Sequence, residues 1–547
     1  MTEKLSNTTL SNFIVEMLSK HGIYNVCICP GSRNTPLNLA FLNHKEFKST
    51  SHIDERGAGF FSLGIAKASL NPAVILTTSG TAVANLLPSI IEADLSLTPL
   101  IIITADRPKS LLYTGENQTI KQDTIFKDFV RERLHIDSAD NKPIEKIYEN
   151  LDNMIKKSMG SIGGNPPGPI HLNISFDEPL VDENHAYDIE YKKEERNKSS
   201  YEHFLFPKFE YPAIVCGQLN TSKHNDLILE LSEKLKCPIF ADPLSQLRYD
   251  KKHPNIFCFY DYYIDKLIIK PDYIIRFGKK PVSKKLTSLV KSFGNHNMIQ
   301  FSDYEQYNED VYSITIKDIE HIENTNMLKN DFFNSINRLE NKVENILSEY
   351  FNNTHFFEGN ILLHCLNHFK HNDNLFIGNS LAVRNLEKFC PNIDKKISVY
   401  SNRGASGIDG LIATALGTSY HNKLERNILI LGDISFFHDI NSLLIANHYT
   451  INMTIIVINN YGGQIFNTLP YKQKLDEKYN KFWTTPLNIK IKESCTLYKL
   501  DYDVISSIDD IKKLDKILDK KGVNIVEIKT DFNTTKEIEK TINQRFQ

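Results

Sequence analysis

Short runs of β-branched and aliphatic residues, each ending in small or polar residues before a helix-length segment, recur through almost the whole chain. "YNVCICPGS", "KSTSHIDE", "AVILTTSGT", "PLIIITADRP" and "GPIHLNISF" form a first series, separated by amphipathic stretches such as "FLNHKEF" and "AVANLLPSIIEADL". A strand that is apolar along its length needs cover on both faces, and intervening helices supply it. The rhythm predicts parallel, doubly wound α/β domains. A second series, "YPAIVCGQL", "KCPIFADP", "PDYIIRFGKKP" and "NMIQFSD", leads into the polar helical stretch "NSINRLENKVENILSEY". A third holds "NLFIGNS", "ISVYSNRGASG", "NILILGD", "MTIIVINNYGG" and "VNIVEIKT". Between the first two series lies a charge-mixed stretch that can bury little surface and reads as a linker. The expected division is a first domain at 1–181, a linker at 182–205, a central domain at 206–350 and a third domain at 351–547. A chain of 547 residues exceeds a single ordinary core, in line with three domains. The first and third are candidates for distant structural relatives.

A formal net charge of only -3 provides no global basic field for nucleic acid or an anionic membrane surface. The longest apolar runs, such as "PLIIITA", are too short to cross a bilayer, and "MTEKLSNTTL" has no signal-peptide core, so a cytoplasmic protein is expected. Eight cysteines show no C-x-x-C or zinc-type spacing and read as buried thiols. Cys27 and Cys29 share one face of an expected strand, where small apolar side chains suit a covered sheet.

In open parallel sheets ligands bind beyond the carboxyl ends of strands, which is where the polar residues of these runs fall. Asp433 closes one strand and Asn460 the next, with a helix-length segment between, so the two should be neighbours. An Asp carboxylate, an Asn amide oxygen and a carbonyl near Gly462 are hard ligands, too few to fill an octahedron. Magnesium held jointly with a phosphorylated cofactor would complete it, and Ser435 and the helix start after Asp433 could meet a diphosphate. Taken alone, Asp433 and Ser435 read as helix caps and "NNYGG" as a turn. Together they match the thiamine-diphosphate motif, a "GD" followed after a βα segment by "NN". That cofactor needs a carboxyl group hydrogen-bonded to its aminopyrimidine. Glu55 stands where "TSHIDE" gives way to the helical "RGAGFFSLGIAKAS"; the competing reading is an acid favoured at a helix N-terminus. Asp54 and Arg56 are read as serving the helix start and a local ion pair.

"PGSRNTPL", "DERGAGFFSLGIAKAS", "TTSGTAVANLLPSIIEA", "TADRP", "GENQTI", "GNSLAVR", "SNRGASGIDG" and "NNYGGQIF" follow one another in order. Over residues 10 to 470 the chain resembles the thiamine-diphosphate-dependent carboligases of menaquinone biosynthesis. The resemblance implies three successive domains, pyrimidine-binding, central and diphosphate-binding, with thiamine diphosphate and Mg²⁺ or Mn²⁺ as cofactors. It also implies a homodimer, or a dimer of dimers, whose active sites form between the first domain of one subunit and the third of another. The implied reaction decarboxylates 2-oxoglutarate and adds the succinyl-semialdehyde carbanion equivalent to isochorismate in a 1,4-addition. Both substrates are dicarboxylates, and guanidinium forks meet carboxylates bidentately.

By the same resemblance, Arg33, Arg107, Arg384 and Arg403 are substrate-binding, joined by Ser32, Asn117, Gln118 and Ser380. Glu55, Arg33 and Gln118 are the catalytic set. Ser406, Ile408, Asp433, Ser435, Asn460, Gly462 and Ile465 bind the cofactor, with the metal on Asp433, Asn460 and Gly462. Ile465, Phe466 and Leu469 match the apolar wall around the acceptor ring, although periodicity alone would make these and Ile408 core residues. Singly, each arginine could equally be an ordinary ion pair, and the hydroxyl and amide residues ordinary caps or turns. In "GKKPVSKKL" the family segment often carries Lys-Arg where this chain has Lys284 and Lys285, so Lys284 is either a substrate contact or part of a solvated charge run. His52 and His438 read as structural. The rival within the same chemistry is an acetolactate-synthase-like carboligase or 2-oxoacid decarboxylase. A rival from another class is a non-catalytic nucleotide-binding protein, which would have no need for Glu55.

Overall fold

The computed structural model describes residues 6–112, 114–140, 143–161, 165–183, 206–304, 313–315, 329–351, 355–470 and 478–546. Positions 184–205, most of the expected linker, lie outside the described residues. Three parallel sheets of six strands each account for the three series.

The first sheet holds β1 (Asn25–Ile28), β2 (Lys48–Ser51), β3 (Ala73–Thr77), β4 (Leu100–Asp106), β5 (Glu132–Asp137) and β6 (Pro169–Ser175), in the order β2-β1-β3-β4-β6-β5. The second holds β7 (Pro212–Cys216), β8 (Ile239–Ala241), β9 (Ile256–Phe257), β10 (Tyr273–Phe277), β11 (Met298–Ser302) and β12 (Ser313–Thr315), in the order β12-β11-β10-β7-β8-β9. The third holds β13 (Asn374–Ile377), β14 (Ser398–Tyr400), β15 (Asn427–Gly432), β16 (Met453–Asn459), β17 (Asp501–Ile505) and β18 (Val523–Lys529), in the order β14-β13-β15-β16-β18-β17. The first and third sheets therefore repeat one topology, strand for strand. In each the order reverses beside its first strand, and the loops there frame the crevice where such folds take ligands.

By its contacts the chain divides into two compact units. One comprises Met1–Ser199 with Asn402–Asn422 and Asp439–Thr450; the other comprises Ser200–Ser401, Lys423–His438 and Ile451–Gln547. In the first unit, Val26, Val74, Leu76, Ile101 and Ile103 pack against helices Asn7–Lys20, Thr35–Asn43 and Ile144–Ser158. The opposite face of the sheet is covered by helix Glu55–Ser69 and helix Leu87–Ser96. "AVANLLPSIIEADL" is thus two helices, because Pro88 lacks an N–H and opens the second one.

Helix Glu55–Ser69 starts at Asp54, whose carboxylate accepts from Arg56 N at 3.1 Å and Gly57 N at 3.3 Å. Its contact with helix Leu411–His421 is close enough to forbid a side chain at one position on each helix. A Cβ on Gly64 would lie 2.0 Å from the Thr414 carbonyl oxygen, and one on Gly417 would lie 2.1 Å from that of Phe61. Helices Glu55–Ser69 and Leu411–His421 therefore cross backbone to backbone through reciprocal glycines. In the second unit, the fully buried Arg248 donates to the carbonyls of Ala241, Cys258, Leu386, Glu387 and Cys390, joining the second sheet to helix Leu381–Phe389. All eight cysteines are buried, unpaired thiols, and no described helix is long and apolar enough to cross a membrane.

Candidate active site

In the first unit the expected residues gather at the carboxyl ends of β1, β3 and β4. The turns after β1 and β3 touch: a Cβ on Gly31 would lie 2.4 Å from Thr78 Cβ, so the Ser32–Arg33 loop rests on the Thr78–Ser79–Gly80 turn. Arg33 donates to Phe176 O at 3.2 Å and lies 3.1 Å from Glu178, while its buried Nε has no acceptor among the described residues. Arg107 donates to Ser79 Oγ at 3.2 Å and to Asn117 O at 3.1 Å. Burial, and next the Arg33 charge, hold the Arg107 guanidinium below its ordinary value. Two neighbouring cations of this kind form a place where an anion is favoured.

Asn117 and Gln118 are exposed beside this pair, with Gln118 in the left-handed region at φ 56° and packed under Gly80. A buried chain of amides carries that turn. Gln122 accepts from Gly80 N at 3.1 Å and donates to Ala105 O and Asn173 Oδ1; Asn173 donates to Asp106 at 2.9 Å. Glu55, the first residue of its helix, is half-buried, and its carboxylate receives only a long 3.4 Å bond from Asn85 among the described residues. His52 is buried against Gly57, and burial lowers its pKa, consistent with a structural neutral ring. In the same unit Arg403, Ser406 and Ile408 occupy a loop held by the buried Glu92, which accepts from Gly404 N at 2.9 Å and Ala405 N at 2.7 Å. Ser406 is exposed at φ 62°, and Arg403 and Ile408 are half-buried.

The second unit gathers another set beyond β13, β15 and β16. Asp433 is 6% exposed, and its Oδ2 accepts from Gly462 N at 2.7 Å. The strand pair β15–β16 makes Asp433 and Asn460 neighbours, as their spacing predicts. Asn460 donates through Nδ2 to Glu358 at 2.8 Å, leaving Oδ1 without a donor among the described residues. Gly462 has φ 117°, and a Cβ there would meet Thr484 O at 2.3 Å, so only glycine fits. Its carbonyl accepts from Gln464 N at 2.8 Å, which leaves one lone pair. Ser435 is buried on the six-residue helix Asp433–His438. Ser380 has φ 68° and receives Arg384 Nη1 on its carbonyl at 2.6 Å, so the two form one arm at the start of helix Leu381–Phe389.

Ile465, Phe466 and Leu469 stay out of the core, with Phe466 38% exposed; Ile408 is likewise outside it. Lys284 is exposed at the start of helix Lys284–Lys291, after β10, while Lys285 pairs with Asp265 at 3.1 Å. Glu358, Asn385, Glu92 and Gln122 were not foreseen. Each is a buried polar residue bonded to a partner distant in sequence, and nothing local marks it.

The donor set after β15 and β16 suits a hard divalent cation. It offers one carboxylate, one amide oxygen with a free lone pair and one carbonyl, and leaves positions for anionic oxygens of a second ligand. Among the described residues no group of three His, Cys, Asp or Glu side chains forms a metal cluster, so a softer, zinc-like site has no ligands to use.

Two sheets of identical topology, one carrying an acid at a helix start and the other an Asp–Asn pair at strand ends, are the frame of a thiamine-diphosphate-dependent enzyme. Residues 8–125 match the family described as thiamine pyrophosphate enzyme, N-terminal TPP binding domain, and residues 389–528 match the corresponding C-terminal TPP binding domain. Over its full length the chain is 33% identical to the 2-succinyl-5-enolpyruvyl-6-hydroxy-3-cyclohexene-1-carboxylate synthase of Listeria welshimeri, covering 98% of this chain and 96% of that one. Synthases of the same name from Staphylococcus aureus (34%, 90% of each chain) and Bacillus cytotoxicus (32%, 94% and 93%) are similarly close. The chain belongs to this synthase family, the thiamine-diphosphate-dependent transferases of menaquinone biosynthesis.

Proposed function

We propose that the chain decarboxylates 2-oxoglutarate and adds the remaining four-carbon unit to isochorismate, giving 2-succinyl-5-enolpyruvyl-6-hydroxy-3-cyclohexene-1-carboxylate and CO₂. The observation that carries the substrate choice is the Arg33–Arg107 pair, with a buried, unused guanidinium N–H on Arg33. Such a pair suits the carboxylates of a dicarboxylic substrate better than the small neutral acceptors of an acetolactate-synthase-like enzyme. Thiamine diphosphate, when bound, supplies the nucleophilic carbon and the electron sink that decarboxylation requires.

Asp433, Asn460 and Gly462 would hold Mg²⁺ or Mn²⁺ for the cofactor's diphosphate, with Ser435 and Ser406 adding hydroxyls. Glu55 would hold and move a proton at the aminopyrimidine. Ile408 would support the bent cofactor, and Ile465, Phe466 and Leu469 would exclude water around the acceptor ring. Arg33, Arg107, Arg384 and Arg403 orient substrate carboxylates, while Ser32, Asn117, Gln118 and Ser380 hydrogen-bond to substrate. Lys284 would add a cationic contact for a substrate carboxylate. In this reading residues 1–181, 206–350 and 351–547 are the pyrimidine-binding, central and diphosphate-binding domains, with 182–205 as linker. Two copies of the chain complete each active site in the cytoplasm.

The test offers the purified chain, with thiamine diphosphate and Mg²⁺, either 2-oxoglutarate plus isochorismate or pyruvate. CO₂ release with adduct formation from the first pair is expected. Turnover of pyruvate alone would favour the acetolactate-synthase-like alternative.

A further inference from the structure

Glu358 is the first residue of helix Glu358–His368, 1% exposed, and belongs to none of the motifs that mark the site. Its carboxylate receives three side-chain donors from three separate elements. Oε1 accepts from Asn460 Nδ2 at 2.8 Å and from Thr530 Oγ1 at 3.5 Å; Oε2 accepts from Asn385 Nδ2 at 2.5 Å.

Asn460 and Asn385 each turn their amide nitrogen to this carboxyl group, one on each of its two oxygens. That fixes the Asn460 amide with its oxygen turned away from Glu358. The adjacent residue repeats the device. Asn459 Nδ2 donates to the buried Glu527 at 2.7 Å, and its oxygen is thereby presented to Tyr461 N at 3.1 Å. In Asn459 the presented oxygen finds a backbone N–H; in Asn460 it has no donor among the described residues. Asn385, the third partner, lies on helix Leu381–Phe389 next to Arg384 and one turn beyond Ser380.

We propose that Glu358 is a positioning residue for the cation site: it orients the Asn460 amide so that Oδ1 faces the metal, and through Asn385 it ties that ligand to the helix carrying Ser380 and Arg384. The proposal rests on the reading of Asp433, Asn460 and Gly462 as the metal ligands. Partners that orient a metal ligand in this way typically carry about 10–100-fold in metal affinity.

Mn²⁺ serves as the probe, with free Mn²⁺ followed by electron paramagnetic resonance in the presence of saturating thiamine diphosphate. Wild type, Glu358→Ala, Glu358→Gln and Asp433→Ala are compared, with unfolding midpoints of the metal-free proteins recorded alongside. Glu358→Ala is expected to weaken Mn²⁺ binding by about tenfold or more. Glu358→Gln keeps one acceptor oxygen for two amides and is expected to lose about threefold. A role confined to packing would lower the midpoint and leave Mn²⁺ affinity unchanged. Mn²⁺ affinity within about twofold of wild type in Glu358→Ala would overturn the proposal; if that variant does not fold, the same result in Glu358→Gln would do so. Asp433→Ala separates the two levels. Loss of binding there with none at Glu358 refutes only the positioning role, whereas wild-type binding in Asp433→Ala refutes the cation site itself and the proposal with it.

Discussion

Glu55 illustrates how little a residue's own surroundings reveal of its use. In its unit it is half-buried with one long contact to Asn85, while Asp54 beside it does the ordinary work of capping the helix. The triplet Asp54-Glu55-Arg56 thus contains one acid with a local task and one without. A half-buried carboxyl without such a task adds little to the fold, and the role proposed for it is with the bound cofactor. Glu55→Gln is expected to keep thiamine diphosphate and Mg²⁺ affinity near wild type and to lose about 100-fold or more in turnover, as general acid-base groups do. Binding can be followed through the fluorescence of the single tryptophan, Trp483, whose carbonyl lies against Gly463 of the Asn460 loop. Unchanged turnover in that variant would remove Glu55 from the chemistry. Asp433, Asn460 and Gly462 were legible because their spacing follows one βαβ unit. Glu358 was not, because its partners at 385, 460 and 530 come together only through the third sheet and its helices.

At the scale of elements, the strands that a reading of apolar runs overlooks are all at sheet edges: β5, β9, β12 and β17. An edge strand is covered less completely, and β5 and β17 carry mixed exposure instead of an apolar run, while β9 and β12 have only two and three residues. The helix crossing at Gly64 and Gly417 was equally hidden, since a glycine within a helix signals a cost before it signals a contact. Ala in place of an exposed helical glycine stabilises by about 1 kcal/mol. Gly64→Ala is expected to do the reverse, lowering stability by about 1–3 kcal/mol, because the added methyl meets the Thr414 carbonyl and backbone cannot swing aside. Its thermal midpoint measures this.

The polar layer under Arg107 gives a pH dependence. Thr104 donates its hydroxyl to Asn173 at 2.7 Å and so accepts from His171 Nε2, which therefore carries a hydrogen. Burial, then the charges of His135 and Arg133, push His171 down to about 3. The folded pKa lies below the unfolded value of 6.5, so between pH 6.5 and 3 the unfolded chain binds a proton that the native one refuses. Stability is therefore lost as pH falls through that window, by up to about 1.4 kcal/mol per pH unit from this one group. Denaturant titrations from pH 7 to 4.5 should show a shallower decline in His171→Gln, and an identical slope would remove His171 as the cause.

For the whole molecule, the repeated strand order of the first and third sheets makes the chain a pair of related halves with a central sheet of different order between them in sequence. Each related half carries part of the proposed catalytic set, Glu55 in one and Asp433 with Asn460 in the other. If subunits complete one another's sites, inactive Glu55→Gln and Asp433→Ala chains mixed after dissociation should regain about a quarter of wild-type activity, one sound site per heterodimer. No recovery would mean that each site draws both residues from one chain. The sequence by itself determined the class of fold, the three sheets and the motif residues, since period, strand-end polarity and βαβ spacing are local properties that survive in a linear string. Only the tertiary structure decided which buried acids orient the Asn459 and Asn460 amides, which glycines admit a neighbouring backbone, and which strands lie at edges. Those are contacts between residues tens to hundreds of positions apart, and their energy depends on distances that no local pattern encodes.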